Sequence, residues 1–531
     1  MNTQSFRQNN AWLHTWISLL PGWLLYAVFF TGTLSFFQDE ITFWMKPELH
    51  ASQPQPDTAL QAVTAMQALA PGAALWQINL PTERYPVVNV RWFAPGEPMG
   101  RGSGEQRTLD AGTLEPVSER ETRGAGFLYR FHFELYGLPR VQARWVVGIA
   151  TMMMLIAIVT GVVTHKKIFK DFFTFRPRKG QRSWLDAHNA LAVLALPFHF
   201  MITYSGLLLF MFLMMPWGMD AAYDGDRRAF FSETRSRGAP MEQTRSDGDI
   251  THAALTDITP LLAAAQREWP NGVGSVQVSQ PGRSNARITL REHGGHSLVD
   301  RGNSRQMTFD GVTGERLPDP AGRDVSSASA VYNIFTSLHL IRFAGPVLRW
   351  LMFISGVLGT LMVATGLVLW VVKRLPERRK LGRTPFGHRL VETLNVGTIA
   401  GLPVATAVYF WANRLLPVSV AQRSDWEIRL FFIAWALCLL HPLLRTHRQA
   451  WREQLALCAL LLTLLPWAGL LTGDGHLASH LLRGQWLPAF TDMTLLAFAA
   501  LFALAVRYLR TPPAPQPKRR AAPVATQGEA A

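Results

Sequence analysis

Apolar and polar positions segregate along this chain on the scale of whole segments. Stretches nearly free of Asp, Glu, Lys and Arg occupy 15–37, 145–165, 186–213, 347–371, 391–412, 428–444, 453–472 and 490–509. Each is close to the ~20 residues that cross about 30 Å of hydrocarbon as a helix. No water reaches the backbone there, so the pattern predicts eight transmembrane helices. The first run, Trp16–Phe37, exceeds a signal-peptide core and lacks a small-x-small cleavage site. It reads as a retained anchor.

Two long polar blocks, 38–140 and 214–346, interrupt the apolar runs and repeat one order of elements. In the first, DTALQAVTAMQALA has helical spacing and is followed by strand-like ALWQINL, PVVNVRWF and RTLDAGTLEPV. In the second, ALTDITPLLAAAQREW is followed by GSVQVSQP, ARITLRE and RQMTFDGVTGERL. Each block is expected to form an α+β domain. The chain then divides into 1–37, the first membrane helix; 38–140; 141–213, two helices and a basic loop; 214–346; 347–372, the fourth helix; 373–390, a second basic loop; 391–510, four additional helices; and 511–531, a tail rich in Pro and Ala that is expected to be disordered.

Charge fixes the expected orientation. Lys166, Lys167, Lys170, Arg176, Arg178, Lys179 and Arg182 crowd one loop, and Lys373, Arg374, Arg378, Arg379, Lys380, Arg383 and Arg389 crowd another. Arg445, Arg448 and Arg452, then Lys518, Arg519 and Arg520, mark the same side. By the positive-inside rule these segments face the cytoplasm of a bacterial inner membrane, with both termini inside and both polar blocks periplasmic. The net charge of +15 is thus a property of short loops, and nucleic-acid binding is not expected. Mean hydropathy is only +0.09 because the polar blocks dilute the apolar runs. The only cysteines, Cys438 and Cys458, lie in apolar segments and form neither a disulfide framework nor a CxxCH site, so any haem is held without covalent attachment.

The membrane segments also repeat. His14 precedes Gly32 by 18 residues, and His188 precedes Gly206 by 18. Trp145 precedes Gly161 by 16 and Trp350 precedes Gly366 by 16, with His132 and His339 standing 13 and 11 residues before those tryptophans. The first four spans are therefore a duplicated pair, with His14, His165 and His188 near the inner ends and His132 and His339 just outside. His199 follows His188 by 11 residues. On a straight helix both rings project from one face about 16 Å apart.

An ionisable group in a membrane helix needs a partner, and imidazole is a natural axial ligand of haem iron. Two histidine layers at different depths suit two b-type haems and an electron path across the bilayer. His14, His132, His188, His199 and His339 are the candidate ligands. His165, flanked by Lys166 and Lys167, is equally read as interfacial. The competing reading of any one histidine is a headgroup contact or a hydrogen bond to a neighbouring helix. Gly32, Gly161, Gly206 and Gly366 serve close packing or admit a flat macrocycle, and Pro197 is expected to kink the third helix. Zinc is a weaker option, since no HExxH or Cys/His cluster is present. The chain has no Gly-x-Ser-x-Gly hydrolase motif and no GxGxxG opening a helix, so the electron donor is expected to be a separate molecule. His388, His441, His447, His476 and His480 lie outside the repeat.

The segments WLHTWISLLPGWLLYAVFFTG, RFHFELYG, LDAHNALAVLALPFHFMITYSG and SLHLIRFAG, with TFDGVTGERL and TLDAGTLEPV closing the polar blocks, resemble the PepSY-associated transmembrane family, which includes iron-regulated inner-membrane proteins and ferrisiderophore reductases. The resemblance covers about 1–375. It implies two PepSY-like periplasmic domains and a four-helix core binding two haems b through His14, His132, His188, His199 and His339. It also implies that a ferric siderophore or other iron chelate is reduced on the periplasmic side; for that reaction a cytoplasmic or quinol donor is expected. Trp76, Trp92, Phe93 and Trp217 are candidate chelate contacts or core residues. The alternative is a non-enzymatic PepSY sensing or inhibitory membrane protein, or a siderophore permease.

Overall fold

The computed structural model describes residues 5–510 apart from 101, 166–171, 173, 178, 227–228, 230–250, 295–297, 300–304 and 319–326. The expected tail, 511–531, and much of the first basic loop therefore lie outside the described residues.

The first apolar run is two helices, α1 (Phe6–Leu19) and α2 (Gly22–Ser35), bent by 63°. Pro21 sits at the joint, where its missing N–H and its ring stop α1 from continuing. After a short helix α3 (Gln38–Trp44), the first polar block contributes α4 (Thr58–Leu69) and strands β1 (Leu75–Asn79), β2 (Val88–Phe93) and β3 (Glu105–Leu109). The chain re-enters the bundle through α5 (Gly126–Glu134) and α6 (Arg140–Thr164). The third run is again bent, α7 (Gln181–Leu194) to α8 (Leu196–Leu209), by 67°, with Pro197 in the first turn of α8.

The second polar block repeats the first with α9 (Thr259–Glu268), β4 (Val273–Ser279), β5 (Arg287–Glu292) and β6 (Gln306–Asp310). Then α10 (Ser327–Leu340) and α11 (Pro346–Leu381) echo α5 and α6. The helical and strand patterns of both blocks appear where period-3.6 and period-2 spacing places them. The two halves also share one antiparallel sheet, ordered β3-β2-β1-β4-β5-β6 and joined where β1 pairs with β4. One core, with Trp76, Ile78, Val90, Val276, Val278, Ile288 and Phe309 in its centre, runs under all six strands.

The remainder is α12 (Phe386–Asn395), a π-helical turn Val396–Ala400, α13 (Gly401–Leu415), α14 (Arg423–Leu440), α15 (His447–Leu464) and α16 (Trp486–Arg510). Among the described residues five helices are individually long and apolar enough to cross a membrane, and the two bent pairs raise the number to seven. The stretch 453–472, expected to be an eighth, falls on the end of α15 and on the 3-10 turn and four-residue helix that follow it. The apolar window within Phe386–Leu415 is 83% buried, against 22–39% in the other four single spans. That span is the axis of the C-terminal half.

A buried polar seam fastens this half to the first. Arg120 bridges Glu48 at 2.7 Å and Asp474 at 2.9 Å, while Nη1 donates to the Asn413 carbonyl. Fully buried Arg423 pairs with Glu427, whose other oxygen accepts from Thr122. Trp44 and His480 both donate to Asp492, at 2.8 and 2.9 Å. Buried charges of this kind are expensive unless every group is paired.

His50 lies against the same seam, its ring centroid 5.1 Å from that of His480. Burial, then the Arg414 guanidinium, push its pKa down to about 3 from the ordinary 6.5. The unfolded chain takes up this proton near pH 6.5 and the folded chain only near pH 3, so the unfolded state binds more protons in between and stability falls as pH drops through that window. Thermal melts in detergent from pH 7 to 5 are expected to show a shallower loss of Tm for His50→Gln than for the parent chain. Equal slopes would remove His50 from the account.

Candidate functional site

The duplicated histidines and glycines meet across helices. His14 on α1 points at Gly161 on α6, and His188 on α7 at Gly366 on α11; His132 on α5 points at Gly32 on α2, and His339 on α10 at Gly206 on α8. A methyl group added at these glycines would stand 2.5 Å from the nearest ring atom of His132 and 3.1–3.2 Å from those of the other three. Glycine thus lets each ring lie close to the neighbouring backbone, with no room for a methyl at Gly32 and a tight fit for one at the other three. His14 Nδ1 donates to the Ala157 carbonyl at 2.9 Å, His132 Nδ1 to Val28 at 2.7 Å and His188 Nδ1 to Met362 at 3.0 Å. In each case the acceptor lies four residues before the glycine, one turn away on the same face.

His339 keeps the scheme: it donates to the Ile202 carbonyl, four residues before Gly206, and its Nδ1 stands 3.0 Å from the Ser205 hydroxyl. All four rings are therefore Nδ1–H tautomers, with the lone pair on Nε2 left for another partner. Ligating histidines are characteristically oriented in this way, by a hydrogen bond from the non-ligating nitrogen.

The four rings fall into two pairs. Ring centroids of His14 and His188 lie 6.5 Å apart, and those of His132 and His339 lie 6.2 Å apart. Two imidazoles on opposite sides of one metal ion have centroids about 6.3 Å apart, from metal–nitrogen bonds of about 2 Å and about 1.1 Å from nitrogen to ring centre. In residue type and spacing, each pair would suit a haem iron held between its two rings. Among the described residues no group of three or more His, Cys, Asp or Glu is placed to hold a bare ion, so any metal in either pair needs its remaining ligands from elsewhere.

His199 lies between the pairs. It is fully buried, faces Phe29 and Gly359, and neither ring nitrogen has a hydrogen-bond partner. Because α7 and α8 bend at Ala195, the straight-helix separation of about 16 Å from His188 does not hold. The glycines that face the two rings, Gly359 and Gly366, stand seven residues apart on α11, about 10 Å of rise. His165 sits outside both pairs and meets Asn189 through Nε2 at 2.7 Å.

The hydroxyls beside the glycines were not singled out from the sequence. Thr160 and Thr365 stand 3.3 Å from the Nδ1 atoms of His14 and His188, and Ser205 binds His339. With Thr31 they form a Ser/Thr-Gly dipeptide in each of the first four spans, a signal that was present in the sequence.

A cavity of about 1980 Å³ reaches from His132 and His339 to the sheet loops at Pro81–Arg84 and Pro270–Asn271. Its lining is chiefly apolar, with Phe29, Phe37, Trp350 and Phe353 among the walls. Nearer the sheet, Glu40 holds Arg84 at 2.7 Å and Arg349 at 3.3 Å, whereas Arg342 has no ion-pair partner among the described residues. Trp76, Trp92, Phe93 and Trp217 do not line this space; Trp76 and Phe93 are core, Trp92 packs on that core, and Trp217 is exposed.

The profile of the PepSY-associated TM region matches residues 11–373. The chain belongs to the PepSY-associated transmembrane family. No curated protein matches it significantly. The PepSY-associated region ends within α11, so the paired histidines all lie inside it, and α12 to α16 lie beyond.

The seats differ in tightness, and that difference is measurable. Gly32→Ala, whose methyl would meet His132 at 2.5 Å, is expected to lose more thermal stability than Gly161→Ala, whose methyl would meet His14 at 3.2 Å. Overpacking of this kind costs about 1–3 kcal/mol at the tighter site. Equal Tm losses in detergent would contradict the steric account.

Proposed function

We propose that the chain is a haem-b electron-transfer protein of the bacterial inner membrane that reduces a ferric siderophore or similar iron chelate on the periplasmic side. In this reading it spans the membrane eight times with both termini in the cytoplasm, and the six-stranded sheet is periplasmic. The observation that carries the reading is the pair of imidazole pairs, each ring preset with Nδ1 bonded and Nε2 free, at centroid separations of 6.5 and 6.2 Å.

His14 and His188 would hold an inner haem, and His132 and His339 an outer one. Haem supplies a one-electron ferric/ferrous couple at each depth. The residues of the chain keep the rings in one tautomer, surround the outer pair with apolar wall, and leave a cavity beside it in which a chelate is received. Arg342 and Arg349 would meet its anionic groups. Ferrous iron then leaves, because hard oxygen chelators bind it more weakly than ferric iron.

Purified protein is expected to show a reduced-minus-oxidised b-type spectrum with two haems per chain. His188→Ala and His339→Ala should each lower haem content to about one per chain, whereas His476→Ala should leave it unchanged. Colourless protein after haem-replete expression would sink the reading. Transport of labelled chelate that survives loss of His132 and His339 would favour a permease instead.

A further inference from the structure

At the end of the bundle away from the sheet, α12 carries a carboxylate that the histidine path does not use. Glu392 is 3% exposed, and one of its oxygens accepts from Arg378 at 2.8 Å. Its other oxygen, the Nε2 of buried His388 and the indole N–H of Trp370 are all buried without a hydrogen-bond partner. His388 Nε2 stands 3.5 Å from the oxygen that Arg378 already holds, too far for a good bond. The rings of Trp370 and His388 are 6.1 Å apart. Three unmet polar atoms on two adjacent helices are groups that one bound ligand would satisfy together, each bond being worth about 1–3 kcal/mol there.

Three features describe that ligand. The unmet atoms are a carboxylate oxygen, an imidazole nitrogen and an N–H, which suit a molecule that presents hydroxyl groups as donors and carbonyls as acceptors. Beside them lies an apolar cluster of Leu19, Leu367, Val371 and Val391 with Trp23 and Trp370 at its edge, closed on the far side by Asn395, which binds Trp23 and the Leu367 carbonyl. Trp370 lies four residues beyond Gly366, the seat of His188, about 6 Å along α11. Arg374 stacks on Trp370 at 3.9 Å, and Arg378 and His447 flank the carboxylate. A docked protein would not use buried atoms, and the chain has no Gly-rich turn to hold a nucleotide phosphate.

We propose that Trp370, His388 and Glu392 bind and oxidise a lipid-soluble hydroquinone, the electron donor to the inner histidine pair. This rests on the haem reading above. In the reaction the two O–H bonds of the hydroquinone break and the ring becomes quinone. The two protons pass to Glu392 and His388 and leave to water at the basic end. Two equivalents of ferric haem at the histidine pairs would supply the one-electron acceptors for the two electrons, which keeps the reaction balanced. Trp370 donates to a quinone oxygen and positions the ring.

The test uses full-length protein in nanodiscs, with tetramethylhydroquinone or dithionite as reductant and the b-type α band as one readout; saturable binding of tetramethylquinone, followed by quenching of Trp fluorescence and expected to weaken in Glu392→Gln, is a second that needs no turnover of haem. Both reductants are expected to reduce the parent protein. Glu392→Gln should slow the hydroquinone reaction about 100-fold, as loss of a general base does, and Trp370→Phe about tenfold. Haem content and the dithionite-reduced spectrum should be unchanged, and Glu392→Asp should recover part of the rate. If Glu392→Gln does not fold, Trp370→Phe alone decides. Haem that dithionite reduces and hydroquinone does not, or variants as fast as the parent, would overturn this site and leave the haem reading intact. Protein without haem would overturn both.

Discussion

An imidazole that gives its Nδ1–H to a fixed oxygen acceptor has lost its choice of tautomer and most of its choice of orientation. In this protein that bond is made four times to a main-chain carbonyl, and at His339 the Ser205 hydroxyl stands beside it. Each bond is made where the facing helix has a glycine one turn further on, which leaves the ring room to approach. The rest of the bundle can be understood as what holds these rings in place: α1 lies along α6, α7 along α11, and the outer histidines ride on short helices packed on α2 and α8.

The bends at Pro21 and Pro197 serve the same end. A straight helix from α1 into α2 would keep His14 and the Gly32 seat on one continuous rod. The 63° and 67° turns let the first part of each run lean on one neighbour and the second part on another, so that each bent run supplies a ring to one pair and a glycine seat to the other. The C-terminal half adds support from the side. Tyr409, Phe431 and Trp435 press on Phe127 and Phe131 of α5, which carries His132. The role of 391–510, which local pattern does not reveal, is at least in part to brace that helix.

How far the sequence discloses this depends on the range of the interaction. The four histidines stand out because duplication places the same residue types at the same spacing, and the strand order within each polar block follows from alternation over a few residues. The facing of His14 to Gly161, and of His188 to Gly366, joins residues on different helices and has no local signature. The same holds for the seam between halves, where Trp44 and Asp492 lie 448 positions apart. The expected one-face alignment of His188 and His199 failed for a local reason: helical periodicity was carried through Ala195, where the preference imposed by Pro197 breaks it. The neighbouring Ser/Thr-Gly dipeptides were visible but have meaning only once a ring is seen beside each hydroxyl.

The junction of the sheet has a bearing on biogenesis. Strand β1 has β2 on one side, and its other edge is completed by β4, with Leu75 opposite Ser279 and Asn79 opposite Ser275. About two hundred residues of chain, including α6, α7 and α8, must be synthesised and inserted before that edge is covered. Long-range closures of this kind are slow, and an open strand edge invites pairing with other chains. The first half of the protein therefore passes through a stage in which its sheet is half built and adhesive, and the arrival of β4 with the second repeat ends that exposure.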